Sequence, residues 1–130
     1  MILLYFATLI PFLILDAIML NTVLAPAFTA WAPHLMAPSP ALLPAALFYL
    51  GYPVGLIALV TGPALRDGTS PWPRAAILGA TAYGTYELTA WSILLDYPAA
   101  FALLDLVWGT VLTTLTAILS LVITRRFGQM

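Results

Sequence analysis

The chain has 130 residues, of which 63% are hydrophobic and 7% are charged, and its formal net charge at pH 7 is -1. Soluble domains carry about 25% charged residues, so this composition excludes a soluble monomer and predicts an integral membrane protein. The absence of Cys and Lys from the sequence excludes a disulfide framework and a basic surface for nucleic acid.

Four apolar stretches, at about 2–24, 41–65, 75–95 and 99–124, each reach the roughly 20 residues that a helix needs to span a bilayer. The stretches are continuous rather than alternating, which favours helices over membrane strands. Short connections rich in proline make sequential helices antiparallel. We therefore predict a single all-α domain over 1–130, a polytopic membrane protein with four transmembrane helices in an up-down bundle.

The connections carry the information on orientation. Arg66 and Arg74 flank the second connection, and Arg125 and Arg126 follow the fourth stretch. Cytoplasmic loops are enriched in positive charge, so we predict that both termini are cytoplasmic and that the protein lies in a bacterial inner membrane. The first connection, which contains Phe28 and Trp31, is predicted to be a loop at the membrane interface.

Three acidic residues, Asp16, Glu87 and Asp105, fall inside the predicted spans. Each costs roughly 2.5–3.5 kcal/mol at the centre of a membrane helix. Counting a rise of about 1.5 Å per residue places all three in one layer near the periplasmic side, together with Tyr49 of the second helix. Because the spans contain no basic residue, we expect burial to favour protonated carboxyl groups.

Helical spacing predicts which residues surround this layer. Gly79, Tyr83 and Glu87 recur every four residues on the third helix, and Asp105 and Gly109 do so on the fourth, so each set forms one stripe facing the interior. The layer can be an interhelical clamp, a proton or cation relay, or an anchor for a ligand. Its candidate residues are Asp16, Tyr49, Tyr52, Tyr83, Tyr86, Glu87, Asp105 and Trp108.

Small residues indicate where helices approach closely. Gly51 and Gly55 form a small-xxx-small pattern in the second helix, which favours packing within the bundle. Pro53 between them is expected to kink that helix. We predict helix-packing roles for Gly51, Gly55, Gly79 and Gly109.

Four segments, "FLILDAIML", "AALFYLGYPVGL", "YGTYELTAW" and "LLDLVWGTVLT", resemble a family of predicted bacterial membrane proteins catalogued as domain of unknown function 2177. The family pattern has an LD pair, FYxxY, YxTYDLTN and DxxWG in successive helices. Two positions depart from it: Glu87 stands where Asp is usual, and Ala90 where Asn is usual. The resemblance implies a fold and a membrane location but no activity. The positions that match are Asp16, Phe48, Tyr49, Tyr52, Tyr83, Thr85, Tyr86, Leu88, Thr89, Asp105, Trp108 and Gly109.

The motifs of known enzymes and nucleotide-binding sites are missing from the sequence, and His34 has no neighbouring metal ligand in its loop. We therefore expect no enzyme activity, no cofactor, no metal and no nucleic-acid partner. The first expectation is a structural or accessory subunit in the lipid bilayer, within a larger membrane complex or a homo-oligomer. The alternatives are a small proton or cation transporter and a binding protein for lipid or another small molecule. A layer bonded only to itself favours a structural role, whereas a cavity favours transport or binding.

Overall fold

The computed structural model describes residues 1–128, which are 86% helix with no strand among them. Their architecture consists of four helices, named here in chain order. Two of the helices, the first and the second, each contain one π-helical turn, at Leu20–Leu24 and Ile57–Thr61. The helices are α1 at Ile2–Trp31, α2 at Leu42–Asp67, α3 at Trp72–Ile93 and α4 at Ala99–Phe127.

Helix α1 is longer than the sequence predicted. Its predicted end near residue 24 falls within the π-helical turn, and the helix continues through it to Trp31. Pro26 does not stop the helix because it directly follows the π-helical turn, where the wider hydrogen-bond pattern accommodates a residue without an N–H. The expected interfacial loop is therefore partly helical, and Phe28 packs against Phe101 of α4 at a ring separation of 4.9 Å.

Three of the helices, α1, α2 and α4, are long and apolar enough to cross a membrane. Helix α3 has 22 residues and is about 33 Å long, but its Gly, Thr and Tyr residues and Glu87 make it less apolar. Outward-facing side chains on the other helices, such as Ile10, Leu47 and Val107, are large, hydrophobic and exposed. That surface is the one a lipid environment requires.

The closest contact between helices joins α3 and α4. A Cβ atom added at Gly79 would lie 2.7 Å from the backbone oxygen of Gly109, and one added at Gly109 would lie 2.0 Å from Cγ of Tyr83. Gly84, further along α3, faces Leu106, which precedes Gly109 on α4. The two helices therefore run antiparallel, at a separation that requires glycine at both contact points.

Helix α1 also packs antiparallel against α4. Leu4 and Leu121 share one buried cluster, and the hydroxyl oxygens of Thr8 and Ser120 are 2.7 Å apart. Further along α1, Asp16 reaches Trp108. This polar pairing is buried, so it ties the two helices together where lipid offers no competing partner.

Gly51 and Gly55 do not lie at a contact between helices within residues 1–128. A Cβ atom added at either residue would meet nothing within 4 Å. The buried side of α2 passes instead through Pro53 and Leu56. A small-xxx-small pattern shows that close approach is sterically allowed, but it does not show which face of the helix meets a neighbour.

This difference between the glycines is testable. Gly79→Ala places a methyl group against the backbone of α4, so we expect it to destabilise the protein by about 1–3 kcal/mol. Gly51→Ala adds the same methyl group in open space and should be neutral or stabilise by up to about 1 kcal/mol. Reversible unfolding in detergent micelles measures both changes. Equal stability of the two variants would contradict the described contact.

Candidate functional site

A partly open cavity of about 390 Å³ lies among the four helices. All three carboxyl groups inside the predicted spans line it, those of Asp16, Glu87 and Asp105. The remaining lining is mostly apolar. Sites for small molecules are typically concave, mainly apolar and roughly 300–1,000 Å³ in volume, so the cavity has the size and composition of such a site. Its tyrosines are Tyr49, Tyr83, Tyr86 and Tyr97.

Asp16 is buried, with 6% of its surface exposed, and both of its oxygens have donors. The Tyr49 hydroxyl donates to Oδ2, and the indole Nε1 of Trp108 donates to Oδ1 at 3.0 Å. These bonds join α1 to α2 and to α4. Trp108, a predicted member of the polar layer, is thus a hydrogen-bond donor. Asp16 therefore acts as a clamp between three helices.

Glu87 has a different environment. Its side chain is 0% exposed, and the Tyr97 hydroxyl donates to Oε2 at 2.6 Å. The other oxygen, Oε1, is buried and has no donor among residues 1–128. The carboxyl group of Asp105 lies beside it in the lining of the same cavity. Two carboxyl groups in one low-dielectric site need either a shared proton or a cation between them, because two negative charges there repel strongly.

Tyr97 is a site residue that the sequence did not reveal. It lies in the connection between α3 and α4, and only 8% of its surface is exposed. Asp96 adopts a left-handed backbone conformation with φ 58°, which Asp tolerates better than most residues, and this turn precedes the inward-facing Tyr97. The one available signal was the residue after it, Pro98, which restricts Tyr97 to an extended conformation.

Aromatic rings form two sides of the cavity. On one side the rings of Phe48 and Tyr83 meet edge to face with centroids 6.2 Å apart. On the other side Phe28 packs against Phe101 and against Tyr97, the latter at 6.1 Å. The carboxyl groups therefore share the cavity lining with aromatic as well as aliphatic side chains.

Tyr52, predicted to belong to the polar layer, does not line this cavity. Its hydroxyl lies 2.7 Å from the hydroxyl oxygen of Thr113, and its ring stacks on Phe48 at 5.3 Å. Tyr52 is three residues beyond Tyr49, hence about 4.5 Å further along α2. Because of this displacement, Tyr52 lies outside the carboxyl layer and contacts Thr113 where α2 packs against α4.

The exposed acids and the histidine lie apart from the cavity. His34 is 3.8 Å from the Asp96 carboxylate in the connections, and Arg66 bonds Asp67 at 2.9 Å at the end of α2. Within residues 1–128, no group of three or more His, Cys, Asp or Glu side chains is arranged to hold a metal ion.

Apolar helices that enclose acidic side chains define a helical membrane protein with a cavity that carboxyl groups line. The chain belongs to the family described as Predicted membrane protein (DUF2177), whose model matches residues 1–122. The resemblance drawn from the four sequence segments is thereby confirmed. No curated protein and no solved structure matches the chain.

The clamp at Asp16 predicts a measurable coupling. Tyr49→Phe removes one donor from a buried carboxyl group and should cost about 1 kcal/mol of stability. Tyr86→Phe is the matched control, because the Tyr86 hydroxyl makes no hydrogen bond with any residue in 1–128 and the residue is mostly exposed. In a double-mutant cycle, the cost of Tyr49→Phe should shrink when Asp16 is changed to Ala. An unchanged cost would show that the hydroxyl acts elsewhere.

Proposed function

We propose that this protein binds a small amphipathic molecule within the membrane, with the polar head of that molecule in the cavity beside Glu87 and Asp105. The observation that carries the proposal is the buried Oε1 of Glu87, which has no donor within residues 1–128 although it belongs to a group lining the cavity. A buried acceptor left without a partner is costly, and either a proton shared with Asp105 or a bound cationic group removes that cost. The proposal involves binding and no catalysis.

A second, apolar cavity supports the amphipathic character of the ligand. It measures about 290 Å³ and is lined by Phe48, Ala82, Tyr83, Tyr86 and Asp105, four of which also line the first cavity. Its lining residues belong to α2, α3 and α4. At this level α2 and α3 are only loosely packed, because their main contact lies further along, at the π-helical turn of α2. A head beside the carboxyl groups and a tail in this apolar space would together match the two cavities.

The proposed membrane arrangement is one four-helix domain over 1–130, in an up-down bundle with both termini in the cytoplasm of a bacterium and the helices across its inner membrane. Helix α3 is the fourth span in this proposal, because it runs antiparallel along the apolar helix α4. Arg66, Arg74, Arg125 and Arg126 support the orientation, since they stand at the ends of α2 and α4 and at the start of α3.

A structural or accessory subunit is the second candidate, in which the carboxyl layer only holds the helices together. The observation that favours it is Asp16, whose two oxygens both have donors from neighbouring helices. In that role the exposed apolar surface would contact a larger membrane complex or a second copy of the chain. A structural role does not explain the cavity or the Glu87 oxygen that has no donor within residues 1–128, so it is the second candidate.

Replacing a cavity-lining alanine separates the two candidates. Ala25 lines the cavity, so Ala25→Trp should fill it and remove a bound molecule. Ala30→Trp on the same helix is the control, because Ala30 is exposed. Native mass spectrometry of protein extracted in mild detergent should show an adduct on the wild type and on Ala30→Trp, and a largely lost adduct on Ala25→Trp.

Thermal unfolding of the two tryptophan variants verifies that both remain folded. Absence of any adduct from the wild type in several lipid backgrounds would contradict the proposed function. An adduct that Ala25→Trp retains in full would place the binding outside the cavity and would contradict it equally.

A further inference from the structure

The charge of the cavity restricts the head group that it can bind. Three carboxyl groups line it, whereas none of the four arginines does. An anionic head would meet like charge in a low-dielectric site, where repulsion is strong. A cationic head would meet opposite charge, so electrostatics selects a cation.

The adjacent carboxyl groups of Glu87 and Asp105 set where the cation lies. Without a ligand, one proton between the two groups relieves their repulsion. The Tyr97 hydroxyl satisfies Oε2 of Glu87, and the opposite oxygen is the one without a donor. Asp105 is the more exposed member of the pair, so a positive group in the cavity reaches the pair through Asp105.

The aromatic sides of the cavity indicate the kind of cation. Faces of aromatic rings attract ammonium groups, and cages of such rings recognise alkylated ammonium in particular. Phe48 and Tyr83 lie on one side and Phe28, Tyr97 and Phe101 on the other. Metal ions are a poorer match, because residues 1–128 do not present a metal-binding group of side chains.

We propose that the ligand is an organic ammonium cation with an apolar tail, and that it takes the place of the proton shared by Glu87 and Asp105. This inference rests on the proposed binding function. The exchange balances in charge: the cation enters, one proton leaves for water through the open side of the cavity, and the two carboxylates face one cation. The bound state therefore carries the same net charge as the free protein, since one positive charge replaces another.

The other titratable groups facing the pair do not compete for this role. Asp16 on α1 already accepts hydrogen bonds from Tyr49 and Trp108. Tyr83 and Tyr86 on α3, together with Tyr97, are neutral donors rather than cations. The pair is thus the site at which a proton and an ammonium compete.

The test uses the whole protein in nanodiscs of zwitterionic lipid and the probe dodecyltrimethylammonium, with dodecanol and dodecanoate as neutral and anionic matches. Isothermal titration in two buffers of different ionisation enthalpy counts the protons released. We expect the cation to bind with about one proton released, and its affinity to rise about tenfold per pH unit while the pair is protonated. Empty nanodiscs correct for partition into lipid.

Variants test whether cation binding and proton release depend on Glu87 and Asp105. Glu87→Gln should weaken binding of the cation at least about tenfold and abolish proton release. Glu87→Asp keeps a carboxyl group and should retain both. Asp67→Asn is the control, because Asp67 lies outside both cavities and pairs with Arg66. If Glu87→Gln does not fold, Asp105→Asn provides the same test. The count of released protons from titrations of the wild type in two buffers requires no variant.

The outcomes are distinct. If dodecanol or dodecanoate binds as tightly as the cation, and Ala25→Trp blocks that binding, the ammonium assignment is overturned while the proposed function stands. Cation binding without proton release overturns the exchange. If no probe binds and Ala25→Trp changes nothing, this inference fails together with the proposed function.

Discussion

An acidic side chain inside a bilayer must find its partners within the protein, and the rest of this structure depends on that constraint. Lipid tails neither donate hydrogen bonds nor screen charge. The helices therefore present Asp16, Glu87 and Asp105 inward to one cavity. Close contact of α3 with α4 at Gly79 and Gly109 brings the carboxyl groups of Glu87 and Asp105 to the lining of the same cavity.

The constraint is met in two different ways. Asp16 receives donors on both oxygens from α2 and α4, so it links helices and needs nothing further. Glu87 receives one donor, on Oε2, and its second oxygen is buried without a donor within residues 1–128. A bundle that needed only stability would satisfy both oxygens. The asymmetry is the physical basis for proposing that the pair binds a group from outside the chain.

Hydropathy and helical periodicity predicted much of the fold and part of the candidate site. They located the helices and placed Asp16, Glu87 and Asp105 on inward faces, because an acid in an apolar run has few alternatives. They failed where a local conformation decides the outcome. The π-helical turn that extends α1 to Trp31 and the turn that directs Tyr97 inward leave no periodic signal, and the spacing of Gly51 and Gly55 does not reveal which face they occupy.

Infrared spectroscopy observes the protonation of the carboxyl pair without any ligand or partner. A protonated carboxyl group has a C=O stretching band that a carboxylate lacks. We expect such a band in the protein without ligand, its loss in Glu87→Gln or Asp105→Asn, and its disappearance when an alkylammonium is added. A spectrum without this band, or a band that neither substitution alters, would show that the pair does not share a proton.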